Sequence, residues 1–346
     1  MRISNKVKIA AVYGSVFLGA GFASGRELIQ YFVGFGGIGI WGLIIAGVLF
    51  ALTGWAVLSI CRRQGINNYS GLMRYLMGDK IGPLMEGLVV GFLFCLFVAM
   101  LAGAGATVRQ AFNLPFTLGA VVIGLVVFAV LCFGLEGIVK FNVILAPFML
   151  AGGIFVGLFS YLTHTNPAFL AQESMLGFAW FVSAVVYASY NLVTGIPVLA
   201  ATSGLATGKL DAMFGGIVGG GIITIVGICM ALPLFLFYAE VIHLEIPFLY
   251  ITSGYGHEFN IMYLAILITA LLTTAACNAF AVLQWFEGRG YSTNKVTIAA
   301  MLCLAGILAS HVGFSTIVAY VYPLFGLIGI FKITVILFSA VAKREK

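Results

Sequence analysis

The sequence predicts an all-α integral membrane fold of ten crossing helices, arranged as two five-helix halves of opposite orientation. Three observations carry this. Of the 346 residues, 62% are hydrophobic and 8% charged, against about 25% charged in an ordinary soluble domain. Ten segments approach the roughly 20 apolar residues that cross a bilayer. Basic residues gather on alternate connections, as the positive-inside rule requires. A water-soluble enzyme of this length is excluded, because too little polar surface exists to cover it. The 44 glycines follow no triplet period, which excludes collagen. Their use fits membrane helices, whose backbones approach closely at small residues.

The spans read 7–35, 38–61, 84–111, 117–136, 137–162, 177–203, 212–238, 259–287, 292–310 and 314–342. The first is too closely followed by the second to be a cleaved leader. The connection 62–83 carries Arg62, Arg63, Arg74, Asp79 and Lys80 and is expected to hold a short surface helix. Gly134, Glu136, Gly137 and Lys140 mark the turn between spans four and five. Connection 239–258 carries Glu240, His243, Glu245, Pro247 and Glu258. With the N-terminus inside, Arg2, Lys6, Lys8, Arg62, Arg63, Arg74, Lys80, Lys140, Lys209, Arg289, Lys295, Lys343, Arg344 and Lys346 fall on the cytoplasmic side. The outer side receives Arg109. Both termini are therefore expected in the cytoplasm of a cell whose plasma membrane holds the protein. The formal net charge of +6 reflects this asymmetry and not a nucleic-acid surface. The six cysteines show no metal or disulfide spacing and read as small apolar packing residues.

Five spans lie in 1–165 and five in 177–346. An odd number per half inverts one half relative to the other. If the halves are structural repeats, they are inverted repeats. In membrane proteins built that way, a Gly/Pro-broken helix at the same place in each half is the best pointer to a solute site. Span one runs Gly19-Ala20-Gly21-Phe22-Ala23-Ser24-Gly25-Arg26-Glu27. Three glycines in seven residues weaken helix by roughly 1 kcal/mol each. Ser24-x-x-Glu27 is a capping-box pattern, the signal of a helix starting again. The run therefore predicts a half-helix ending near Leu18, an extended stretch, and a second half-helix from about Gly25. A glycine packing face would account for Gly21 and Gly25 but not for Arg26 and Glu27, which are costly inside a bilayer. Span six places Tyr187, Ser189, Tyr190, Asn191 and Thr194 before Pro197. A restart capped by Asn191 or Thr194 is expected there, with Pro197 in its first turn. The plainer alternative is a proline kink. Unwound backbone in a membrane must face protein or a polar cavity. The two breaks therefore point to a central site for a small polar solute and a cation.

At these residues the chain resembles the YkvI-type bacterial membrane proteins. These are similar to the amino acid–polyamine–organocation superfamily and its LeuT-like fold. The first-helix run carries the resemblance most specifically; Tyr187–Asn191 carries it less. The resemblance implies two inverted five-helix repeats with spans one and six crossing at the centre, lined by spans three and eight. It also implies a sodium site between the carbonyls near Ser15 and Leu18 and the Ala270-Leu271-Leu272-Thr273-Thr274 run of span eight. Back-bonding of the threonines to their own helix is the alternative there. Asn278, one turn on, joins the candidate lining. The superfamily's metal-ion branch carries Asp-Pro-Gly-Asn in span one and a methionine in span six; neither occurs here.

The function expected is a secondary transporter of an amino acid or related small amine or zwitterion, with sodium as the coupling ion and no cofactor. A proton-coupled version uses Glu27. Arg26, on the outer side of the break, is expected to gate that side, the alternative being an anchor for a substrate carboxylate. A non-transporting sensor or assembly subunit on the same scaffold is the second class. An enzyme is not expected: no HExxH, GxSxG or intramembrane Ser/His set is present.

Overall fold

Long apolar runs with few breakers fold as long helices, and no strand occurs among the described residues. The computed structural model describes residues 5–16, 19–133, 151–163, 177–206, 208–289 and 294–342. Leu18, the expected turn at 134–140 and the expected connection after Thr163 lie outside them. The elements are α1 (Asn5–Val16), α2 (Ala20–Ser24), α3 (Arg26–Tyr31), a 3-10 turn (Val33–Ile38), α4 (Gly39–Gln64), α5 (Tyr69–Phe112), α6 (Phe116–Phe133) and α7 (Ala151–Thr163). After the junction come α8 (Ala179–Thr202), α9 (Lys209–Leu236), α10 (Tyr238–Val241), α11 (Pro247–Ser253), α12 (His257–Glu287), α13 (Lys295–Ser310) and α14 (Phe314–Ala342).

Six stretches among the described residues are long and apolar enough to cross a membrane: Val33–Gln64, α5, Ala179–Leu205, α9, α12 and α14. Phe116–Cys132, α7 and α13 are shorter apolar helices. α5 begins with the surface helix expected in 62–83. Asn68 caps it by accepting from the Gly71 amide at 2.7 Å, and the helix is interrupted at Gly78 (φ 77°, ψ 177°) before the membrane-spanning part.

Small residues set how closely the helices pack, as expected where lipid removes the hydrophobic drive between them. A side-chain carbon on Gly216 would run into the Trp55 amide, and one on Gly220 would lie 2.6 Å from the Ala51 amide. This seats α9 against α4 backbone to backbone. Gly326 and Gly329 do the same between α14 and α8, meeting the carbonyls of Val186 and Ser189. α8 is thereby held centrally, with α4 and α14 against it and α5 close by.

Span one is broken, although not as one extended stretch. α1 ends at Val16, Gly19 is extended (φ −69°, ψ 180°), and α2 contributes five residues. Gly25 then turns left-handed (φ 82°, ψ −9°) before α3. A left-handed residue is costly for anything but glycine. The expected capping box does not form. Ser24 Oγ donates to the Gly21 carbonyl (2.8 Å) and accepts from the Arg26 amide (3.1 Å). The turn at Gly25 makes that residue, with no side chain, the cap of α3. The Glu27 side chain is left to reach inward.

Span six is not broken, which corrects the expectation of paired interruptions. α8 runs as helix from Ala179 to Thr202 with Pro197 inside it. The two residues expected to cap a restart, Asn191 and Thr194, bond back within the helix instead. Asn191 Nδ2 donates to the Tyr187 carbonyl at 3.0 Å, and Thr194 Oγ1 to the Asn191 carbonyl at 2.7 Å. Such backward bonds are what Asn and Thr make inside a helix, and with α8 continuous here there are no free amides of a new first turn for them to cap.

Candidate functional site

Breaking span one at Gly19 leaves room beside it, and a cavity of about 250 Å³ fills that room. Gly19, Gly21, Phe22 and Glu27 form its wall on the broken helix. α5 supplies Phe92, Leu93, Leu96 and Met100; α8 supplies Tyr190, Asn191, Thr194, Pro197 and Val198. α12 adds Thr274, Cys277, Asn278 and Ala281, and α14 adds Tyr322. At a liquid share of about 30 Å³ per water, the volume accommodates about eight waters or a small organic solute.

Glu27 is the charged side chain of this lining and is 6% exposed. The Tyr190 hydroxyl donates to its Oε2 at 2.7 Å. Its Oε1 lies over Gly21, where a side-chain carbon would overlap it; Gly21 is thus required for close approach. Behind Tyr190 stand Tyr187 and Tyr31, with ring centroids 5.5 and 5.4 Å from it, and Tyr322 lies at 4.9 Å. Tyr31 donates to the Val318 carbonyl at 3.2 Å. Val318 belongs to a π turn, Ile317–Val321, and such turns often mark functional positions in helices.

The expected site residues divide clearly. Gly19, Gly21, Phe22, Glu27, Tyr190, Asn191, Thr274 and Asn278 meet at the cavity. Tyr187 packs behind it. Ser189 is buried at the Gly329 crossing with α14. The Ala23 carbonyl accepts from Tyr263 at 2.9 Å. Ser24 and Gly25 shape the turn. The Ala20 and Ser15 side chains lie outside the described residues, as does Leu18, so the proposed sodium ligands do not all come into view. Of the α12 partners, Ala270 and Thr273 are buried away from the cavity, and Thr273 Oγ1 donates back to the Ala270 carbonyl at 3.2 Å. Thr274 is different. A side-chain carbon on Gly19 would sit 3.3 Å from its Oγ1, so this hydroxyl faces the broken backbone.

Sequence reasoning missed the α5 lining residues individually and missed Tyr322 altogether. The Tyr322-Pro323 pair in mid-span was the available signal. It also missed Lys332, a fully buried lysine in α14. Its Nζ donates to Tyr69 Oη at 2.8 Å and stands 4.9 Å from the centre of that ring, which ties α14 to the surface part of α5.

The cavity lies along the halves of the helices nearest the C-terminal ends of α8 and α12. The opposite end is closed. Arg26 Nη1 donates to the carbonyls of Ile242 and Leu244 in the segment between α10 and α11. Arg109 pairs with Glu245 at 2.8 Å. Gln110 donates to the Ile246 carbonyl (3.0 Å) and accepts from the Ile246 amide (3.3 Å). Arg26→Ala removes charge-assisted bonds of roughly 1.5–3 kcal/mol each. The expected result is a rise of about tenfold or more in modification of an introduced Ala23→Cys by an impermeant thiol reagent from that face. An unchanged rate removes the gating role.

Comparison with known proteins agrees with this architecture. No family model matches the chain. It is 25% identical over 339 residues to the uncharacterized membrane protein YkvI of Bacillus subtilis (strain 168), covering 98% of this chain and 97% of that one. It is 23% identical over 338 residues to the uncharacterized protein YyaD of the same organism, covering 97% and 96%. Among solved structures it resembles the inward-facing conformation of Mhp1 (TM-score 0.63, 14% identity, 98% of this chain and 77% of that one). It also resembles a Na⁺-coupled sialic acid symporter (TM-score 0.63, 14% identity, 98% and 79%). A third likeness is to the manganese transporter of Eremococcus coleocola (TM-score 0.63, 13% identity, 98% and 80%). The chain is therefore homologous to the membrane protein YkvI and to YyaD, and it shares the LeuT-like fold of the three solved transporter structures.

Proposed function

We propose that this protein is a secondary active transporter of a small amino acid, amine or zwitterion in the bacterial plasma membrane. It has ten spans, two inverted halves (1–165 and 177–346) and cytoplasmic termini. One observation carries the reading: a solute-sized cavity sits against the interrupted first span, between α5, α8 and α12. Broken helices are tolerated in a membrane where their free backbone groups face a polar cavity. With the termini inside, the cavity opens toward the cytoplasm, and the Arg26 and Arg109 contacts close the outer side. Transport then requires those contacts to part as the inner ends of the helices close.

Sodium is the coupling ion in this reading, held by hard oxygens at the break of span one and by Thr274. Supporting this is the approach of Thr274 Oγ1 to Gly19. Thr273→Val together with Thr274→Val is expected to abolish sodium stimulation of uptake into proteoliposomes while leaving the protein folded. Retained sodium dependence eliminates the site. A proton-coupled version is favoured by a specific observation as well: Glu27 lines the cavity with no basic side chain among the described lining residues. In that case Glu27→Gln no longer concentrates solute under a pH gradient alone. Ligand binding with no flux in either assay assigns the scaffold to a sensor or assembly subunit instead.

A further inference from the structure

An ionisable residue inside a membrane protein normally has a partner, because an uncompensated charge there costs at least about 2.5–3.5 kcal/mol. Glu27 is buried at the cavity wall with no ion-pair partner among the described residues. Its sequence neighbour Arg26 turns away to the carbonyls of Ile242 and Leu244. Lys332 is engaged by Tyr69. Among the described residues, the carboxylate accepts one hydrogen bond, from Tyr190 to Oε2. Oε1 accepts none from the described residues and stands over bare Gly21 at the cavity wall.

Around the carboxylate the lining is aromatic. Phe22, Phe92, Tyr190 and Tyr322 contribute rings to the cavity. Tyr190 and Tyr322 are 4.9 Å apart at their centroids, and Phe92 lies 5.9 Å from Tyr322 and 6.3 Å from Tyr190. The Tyr322 hydroxyl is buried without a partner among the described residues. Rings grouped about one carboxylate attract a cation twice over, through charge and through the negative faces of the rings. The same lining offers an anion little. It contains no Lys, Arg or His among the described residues, and α2 is too short for its N-terminus to act as an anion site. Beyond the rings, Thr274 and Asn278 are neutral, and the Asn278 amide nitrogen has no partner among the described residues. They suit a hydroxyl or carbonyl on the far end of the solute.

We propose that the cavity takes a small organic ammonium cation, its charged nitrogen seated between the Glu27 carboxylate and the rings of Tyr190 and Tyr322. The solute is recognised without a carboxylate of its own. This rests on reading the cavity as the transport site and narrows the solute class from amino acids and zwitterions to amines.

Binding to the full chain in lipid nanodiscs tests it by calorimetry, independently of flux. The probes are methylammonium, tetramethylammonium and choline, with 3,3-dimethyl-1-butanol as the uncharged isostere of choline. Alanine and sodium chloride complete the set. At least one ammonium probe is expected to bind about tenfold or more tighter than the neutral isostere. Glu27→Gln, which keeps an acceptor for Tyr190, is expected to lose that preference. Tyr322→Leu is expected to weaken binding several-fold more than Tyr322→Phe, which keeps the ring. Thermal unfolding without ligand verifies that each variant is folded.

Equal binding of the neutral isostere overturns the proposal. So does ammonium binding that survives Glu27→Gln, or a response to sodium chloride that Glu27→Gln abolishes, which marks Glu27 as an inorganic-cation site. Tight alanine binding with no ammonium binding overturns it too. Ammonium binding without flux leaves it standing and removes the transport reading. Uptake of a zwitterion by the Glu27→Gln protein does the reverse.

Discussion

Gly25→Ala is expected to abolish transport and to lower stability by roughly 2–5 kcal/mol. Two costs combine. The backbone at Gly25 is left-handed (φ 82°), which costs a residue with a β-carbon about 1–2 kcal/mol. The added methyl would also lie 2.7 Å from Cδ2 of the fully buried Phe248 and 3.2 Å from Leu234. Overpacking a filled core adds about 1–3 kcal/mol. Relief of both costs requires α3 to straighten onto α2, which would carry Glu27 off the cavity wall. Gly65→Ala is the control. Gly65 is also left-handed (φ 63°) but has open space around it, so it is expected to incur the first cost alone and to keep uptake. Thermal unfolding and uptake of the two proteins separate the hinge from ordinary backbone strain. Equal behaviour of the two contradicts the hinge.

The second large effect concerns Glu27 and pH. A cationic solute needs the carboxylate ionised. Lowering the pH protonates Glu27, so binding is expected to weaken as pH falls and to recover as it rises. Glu27→Gln resembles the protonated side chain at every pH. It is expected to bind about a hundredfold more weakly at neutral pH and to show no slope with pH. The Tyr190 hydroxyl, which donates to the carboxylate at 2.7 Å, retains an oxygen acceptor in the variant, so the fold around it is kept. Calorimetric titrations of both proteins across pH 5 to 8 measure the two slopes. A slope that persists in the variant assigns the pH dependence to another group.

The membrane class was legible because it follows from composition and span length, which no packing detail overrides. The break in span one was legible for the same kind of reason: Gly19 and Gly25 stand at the positions where the backbone leaves helical geometry. Details of that break were not. Ser24 and Glu27 have the spacing of a capping box, but spacing does not reveal that Tyr190, 163 residues away, offers Glu27 a donor. Span six misled in the opposite direction. Asn191, Thr194 and Pro197 look like a restart in isolation. Whether Thr194 caps forward or bonds backward depends on the continuity of the helix, and α4 and α14, packed against α8, support a continuous one. Tyr322 and the α5 lining residues look like any other apolar membrane positions. Their place at the cavity is set by which helices cross, and that is tertiary information.

Access of water to the cavity beside the broken helix, from one side at a time, is the central claim. Cys277, one of six cysteines, lines that cavity and is a reporter already in place. With the other five replaced by serine or alanine, its modification by a membrane-impermeant thiol reagent is measured in vesicles of both orientations. Reaction at least about tenfold faster from the cytoplasmic face is expected, because the Arg26 and Arg109 contacts close the other side. Equal reaction from both faces, or from neither in a folded protein, contradicts the account.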